Sequence, residues 1–500
     1  MTAVATTPEA GLRRGAVGLR EVLFQSITAM APGAAIAASI PAGAAFAGGS
    51  LPLAVIVALV ACLFTALSIG ELARHLPSSG SVGTYAAQGL HPGAGFLVGW
   101  GYLFVEALVP TLLFLQLGFT VAGTLHQEWS SYPESLWWPW ALLGAVIVGL
   151  AGYRGVRTSA VLGTVLGAFE IVVFLVFAVL LIAKAGSANT LSVFGSGLTA
   201  KGHAGAAGVI AGSVYTVLAF SGFEAAAPLA EEARDPRRTV RLAIVGATLG
   251  IGLVYVFTTY AVDVFFGPSR FADFGTTGPA SWLGIARASY GLFWVLVFLA
   301  IVNSTIANAN AGANVSTRTA YALGRIGLLP RSLTRVHPRF QSPTVAVGVQ
   351  FLLAVVVTLA LGFAYNPVTA FLLVATMIVI VVVLVYIVVN AACIGFYLRR
   401  RRGEFNVALH LLAPVLGIVA FVPAFLTAAG LPVFSFISKL TPPVSYAGPA
   451  VGAWMIVGIG YLAYVLRRAP GRVADMSTVH LDDLDPAAPA EPPSRNAAAP

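Results

Sequence analysis

Runs of about twenty mostly apolar residues recur along almost the whole chain, each long enough to cross roughly 30 Å of hydrocarbon as a helix. Away from water, backbone amides must be paired within the segment or in a closed barrel, so runs of this length imply helices. On the 500-residue sequence they fall near 22–48, 51–74, 93–123, 136–153, 158–183, 205–230, 239–264, 281–314, 343–363, 367–398, 405–428 and 444–467, about twelve in all. Charged residues make up only 9% of the chain, against about 25% in a soluble domain. The expected fold class is therefore all-α integral membrane, with about twelve transmembrane helices.

The net charge of +9 would suit a nucleic-acid binder, but its placement argues for topology instead. Arginines gather in alternate loops: Arg13, Arg14 and Arg20, Arg74, Arg154 and Arg157, Arg234 to Arg241, Arg318 to Arg339, Arg399 to Arg402, and Arg467 to Arg472. The intervening loops hold only Lys184, Lys201, Arg270, Arg287 and Lys439. The positive-inside rule then puts both termini in the cytoplasm of a multi-pass protein of the cytoplasmic membrane. Arg399 to Arg402 anchors the topology and meets anionic membrane lipids. No nucleic-acid partner is expected.

The first 20 residues are polar and basic, without the apolar core of a cleavable signal, and read as a cytoplasmic segment, 1–20. A transmembrane domain is expected over 21–468, followed by an Ala-, Pro- and Asp-rich tail, 469–500, too poor in apolar residues to order itself. Cys62 and Cys393 lie inside apolar runs and the histidines near loops or helix ends, so no disulfide, metal site or cofactor is expected. With no paired nucleophile and base, the chain does not read as an enzyme.

Two spans carry interruptions. The first contains Ala29-Met30-Ala31-Pro32-Gly33-Ala34-Ala35; Pro32 lacks an N–H, and Gly33 tolerates dihedrals other residues avoid. The sixth reads Leu218-Ala219-Phe220-Ser221-Gly222-Phe223-Glu224, a Ser-Gly step followed by a carboxylate. A carboxylate at that depth costs roughly 2.5–3.5 kcal/mol on insertion scales, so a function is expected of it. Breaks in spans one and six fit two five-helix halves, roughly 21–184 and 205–400, because an odd number of spans inverts the second copy; spans over 405–467 are then peripheral. Freed backbone at such breaks is how secondary transporters build substrate sites. N–H groups from Gly33 onward are expected to hold a substrate carboxylate, and carbonyls at Ala29, Met30, Leu218, Ala219 and Phe220 an ammonium group.

These stretches resemble the amino acid–polyamine–organocation (APC) superfamily. The likeness runs from about Leu19 to Arg400 and is carried by Phe220-Ser221-Gly222-Phe223-Glu224, by Leu229 to Pro236 with Arg241 to Ile244, by Gly70 to Gly80 with Tyr85, and by Arg318 to Tyr321 with Gly324 to Pro330. The resemblance implies the LeuT-type 5+5 inverted-repeat fold with broken helices 1 and 6. It also implies a substrate pocket near Ala31 to Ala35 and Phe220 to Phe223, closed by helices three, eight and ten, with Glu224 linked to proton coupling. Leu218 stands where basic-substrate antiporters of the superfamily carry a tryptophan gate. Glu170 stands where some proton-coupled members carry a lysine in place of sodium.

Glu170 and Glu106 are further proton-coupling candidates, Glu170 with a neutral hydrogen-bonded structural role as its alternative and Glu106 with Tyr102 one turn away as a neighbour. Asn310 and Asn314 share a face of the eighth span and are candidates for lining the pocket or an ion site; linking helices is the plainer role. Glu71, Glu231, Glu232 and their arginine neighbours are expected at the membrane interface, with gate ion pairs as the alternative. The function expected is uptake of an amino acid or related amine by alternating access, coupled to protons; sodium stays open, since carbonyls and hydroxyls suffice to bind it. An exchanger for polyamines or amino acid/amine pairs is the alternative, and a nutrient sensor of the same fold a further one.

Overall fold

The computed structural model describes residues 12, 14–274, 279–431, 433 and 440–478. Among these, 12 helices are long and apolar enough to cross a membrane, and no β-sheet forms. We number them spans 1 to 12: Leu19–Ser39, Pro41–His75, Pro92–Glu128, Glu134–Tyr153, Val156–Ala188, Ala206–Glu232, Pro236–Phe266, Phe293–Arg325, Thr344–Tyr365, Pro367–Arg400, Ala408–Ala428 and Val444–Arg468. Span 1 packs against spans 5, 7 and 8 and the second half of span 6, while span 3 packs against spans 8 and 10. Buried residues make up 72% of the apolar stretch in spans 1 and 3 but only 28% and 17% in spans 11 and 12, which sit at the rim.

Both breaks have local causes. The first helix of span 1 ends at Ala29, and Ala31 takes a left-handed conformation at φ 46° before Pro32 restarts the helix. The proline ring disfavours helical backbone at the residue before it, and its missing N–H cannot continue the hydrogen-bond ladder. Beyond it the chain winds loosely through Ala35–Ser39 and Pro41–Gly43. Span 6 tightens into a 3₁₀ turn at Val217–Phe220, extends at Ser221 and turns at Gly222, φ 106°. Its second half, Phe223–Glu232, stays 3₁₀-wound and admits Pro228.

Several boundaries differ from expectation. Span 8 begins at Phe293, not near 281, because Gly291 at φ 55° separates it from a distinct helix, Pro279–Tyr290. It then runs on to Arg325, since its polar second half is buried in protein. At the C-terminus, order does not stop at 468. Pro470–Ala474 is helical, and Val473 and Met476 are buried. The Arg472 guanidinium donates to the Gly327 carbonyl at 3.2 Å. The rest of the expected tail, 479–500, lies outside the described residues, as do 1–11 and 13 of the N-terminal segment.

Candidate functional site

The two breaks meet. Gly222 lies so close to the first helix that a Cβ there would stand 2.6 Å from the Ala29 carbonyl oxygen, so only glycine fits both its φ and its neighbour. Tyr255 of span 7 lies 2.9 Å from the carbonyl oxygens of both Met30 and Ala219 and shares its hydroxyl proton between them. Ser26 donates to the Phe223 carbonyl at 2.6 Å and accepts from the Ala226 N–H at 3.2 Å. Carbonyls freed by the breaks are thus partly recaptured: Met30 and Ala219 by Tyr255, Leu218 by the Ser221 N–H at 3.1 Å.

Between the breaks and spans 3, 8 and 10 lies a cavity of about 90 Å³. A water needs roughly 10–15 Å³ by this measure, so the space suits several waters or one small organic molecule. Ala29, Met30, Ala31, Ala34 and Ala35 line it from span 1, and Leu218, Ala219, Ser221 and Gly222 from span 6. Glu106 and Glu224 are the acidic groups on its wall, and no Lys, Arg or His lines it. Tyr386 of span 10 donates to Glu224 Oε2 at 2.5 Å, and the same hydroxyl accepts from the Gly222 N–H at 3.2 Å. Glu224 Oε1 is buried with no hydrogen bond among the described residues. The Tyr102 hydroxyl also has none, so it does not hold Glu106.

Other expected site residues lie elsewhere. Pro32 and Gly33 face away from the cavity: the Gly33 N–H donates to Glu170 Oε2 at 2.9 Å, and a Cβ on Gly33 would meet Ala300 and Ser304 of span 8. Glu170 is fully buried behind span 1. The amide expected to receive a substrate carboxylate is therefore already bonded. Phe220 and Phe223 do not line the cavity; they pack on Tyr255 and Tyr386, with ring centroids 5.2 and 4.9 Å apart. Asn310 and Asn314 join spans 5 and 8 through Ser159, whose hydroxyl donates to Asn310 Oδ1 at 2.5 Å and whose carbonyl accepts from Asn310 Nδ2 at 3.0 Å. The span 8 amide that reaches the cavity is Asn308, about 200° around the helix from Asn310.

Sequence reading also missed Ser39, Gln116, Tyr255, Tyr386 and the apolar wall of Val109, Phe371, Ile378 and Val382. A lone amide or phenol in an apolar helix was the available signal, because a buried tyrosine usually finds a partner for its hydroxyl.

The cavity extends from the breaks toward the arginine-poor end, through Ser39, Gln116 and Phe371 near the start of span 10. On the arginine-rich side, buried ion pairs close the structure. Arg318 donates to Glu232 at 2.9 and 3.4 Å, and Arg325 to Glu231 at 2.7 and 3.0 Å. The Ser79 hydroxyl and N–H add bonds to Glu231 at 2.7 and 3.1 Å. Glu71 pairs with Arg241 at 2.6 Å. These carboxylates are buried and paired, Glu231 and Glu232 because span 6 ends inside the protein against spans 1, 7 and 8.

A family model described as "Amino acid permease" matches residues 21–467. The chain is 27% identical over 367 residues to the low-affinity putrescine importer PlaP of Escherichia coli K12, covering 71% of this chain and 75% of that protein. It is 28% identical over 334 residues to the branched-chain amino acid permease BcaP of Bacillus subtilis, covering 61% and 66%. It is also 28% identical over 300 residues to the histidine permease HisP of Lactococcus lactis, covering 58% and 59%.

Proposed function

Because the chain belongs to the amino acid permease family, we propose that it imports an amino acid or small amine across the cytoplasmic membrane by alternating access, coupled to protons. The observation that carries this reading is the cavity where the two broken helices meet, with Glu106 and Glu224 on its wall. Putrescine, branched-chain amino acids and histidine, named for the relatives, all bear an ammonium group that such a wall attracts.

The arginine-rich end faces the cytoplasm by the positive-inside rule, so the cavity leads toward the outside in this conformation. Substrate release then requires Arg318 to part from Glu232, and Arg325 from Glu231 and Ser79, while the outer passage closes. Glu224 is the coupling group. Tyr386 links its carboxylate to the Gly222 N–H, so a proton taken up there changes a bond at the turning point of span 6. Glu106, on the same wall, is the second group able to carry the proton.

The test is uptake of labelled putrescine and leucine into sodium-free proteoliposomes with the interior made alkaline. Accumulation above equilibrium is expected, and Glu224→Gln should abolish it without preventing folding. Accumulation that survives an uncoupler would favour exchange; ligand binding without flux would make the chain a sensor.

A further inference from the structure

We infer that a second, basic cavity at the arginine-rich end of spans 2, 7 and 10 binds the phosphate of an anionic membrane phospholipid. It measures about 620 Å³, against about 90 Å³ for the cavity between the broken helices, and the two share no residue. Span 2 brings Arg74 from its last turn, and span 7 brings Arg237, Arg238 and Arg241 from its first two turns. Arg401, just past the end of span 10, completes the set. These five guanidinium groups share the wall with a single acid, Asp235. Carboxylates behind the wall hold several of them in place. Buried Glu71 pairs with Arg241 at 2.6 Å and lies 3.9 Å from Arg74. Glu404 lies 3.9 Å from Arg74 and 3.6 Å from Arg401. Arg238 has no hydrogen bond or ion pair among the described residues. With His75 neutral, five arginines against Asp235, Glu71 and Glu404 leave two positive charges uncompensated. Guanidinium groups suit phosphate oxygens, which they bind in pairs of parallel hydrogen bonds.

Two observations separate this cavity from a general basic rim. Of the run Arg399 to Arg402, Arg399 donates to the Leu90 carbonyl at 3.1 Å and Arg400 to that of Gln88 at 3.2 Å. It is Arg401 that lines the cavity. Leu242 lines it too, and begins an apolar stripe along span 7: Leu242, Leu249 and Leu253 are 45%, 44% and 57% exposed. At 100° per residue the three fall within about 40° of one face. In a bilayer that face meets acyl chains, so a phosphate held in the cavity has an apolar track leading from it. A phospholipid fills both; a soluble phosphate fills only the first.

Binding is read by native mass spectrometry of the full-length protein released from detergent, with dioleoylphosphatidylglycerol titrated in. Dioleoylphosphatidylcholine has the same chains and phosphate but a balancing cation, and glycerol 3-phosphate has the phosphate without chains. Phosphatidylglycerol is expected to bind most tightly of the three. Arg238→Gln with Arg401→Gln leaves the Glu71–Arg241 pair intact and should weaken that binding about thirtyfold, roughly fivefold for each arginine. Arg467→Gln with Arg468→Gln removes the same charge at the same end, outside the cavity, and should leave binding unchanged. If the first double variant fails to fold, Arg238→Gln alone should weaken binding about fivefold. Equal losses in the two double variants, or equal affinity for the two lipids, would overturn the site. Glycerol 3-phosphate bound as tightly as phosphatidylglycerol would overturn the assignment to a lipid.

Discussion

Replacing Gly222 by alanine would set a carbon 2.6 Å from the Ala29 carbonyl oxygen while asking the residue to hold φ at 106°. Left-handed backbone costs a non-glycine residue roughly 1–2 kcal/mol. Overpacking against fixed backbone adds about 1–3 kcal/mol. Gly222→Ala should therefore lose several degrees of thermal midpoint and its response to ligand, whereas Gly197→Ala, facing open space, should be neutral. A Gly222→Ala protein matching wild type in both would show that the break does not need this close contact. Pro32, Gly222 and Glu224 were legible because their effects are local: a missing N–H, a permitted φ, a charge in an apolar run. For Asn310 and Asn314 both a lining and a helix-linking role stayed open, because sequence spacing shows which residues share a face but not which neighbour that face meets; they take the plainer, linking one. Glu170 was legible as buried, yet its partner Gly33 lies on another helix.

The ion pairs at the end of span 6 join two elements. Arg318 and Glu232 are both essentially inaccessible, so removing one partner strands a charge in a low-dielectric interior. Such a loss typically costs about 3–5 kcal/mol, whereas replacing both partners with apolar residues is often near neutral. Arg318→Ala should be strongly destabilised in denaturant titrations, and the double variant Arg318→Leu with Glu232→Leu much less so. If the two variants lose the same stability, the pair does not act as a unit. The charges themselves were plain in the sequence. Their burial was not, because span 6 looks as if it should surface at its polar end, and only its packing against spans 1, 7 and 8 keeps Glu231 and Glu232 inside. The C-terminal segment misled in the same way: composition past 468 promised disorder, but Val473 and Met476 find a ready surface, with the Met476 methyl close to Gly83 and Gly99.

Across the whole molecule, the twelve spans were legible because apolar length alone defines them, and the two breaks because proline and glycine mark them. Orientation is a separate matter: the fold has a cavity leading toward one end and ion pairs closing the other, whichever way it sits in the membrane. The arginine count favours the closed end inside, and single introduced cysteines can test this. The native thiols Cys62 and Cys393 are both buried, so they should stay silent toward a charged maleimide. Gly197 and Gly403 are exposed and face open space, one in the arginine-poor loop between spans 5 and 6, the other beside Arg402. In intact cells Gly197→Cys should label at once and Gly403→Cys only after permeabilisation. The opposite pattern would turn the molecule over: the cavity would then lead toward the cytoplasm, and the pairs at Glu231 and Glu232 would form an outer closure that parts to admit substrate, not to release it.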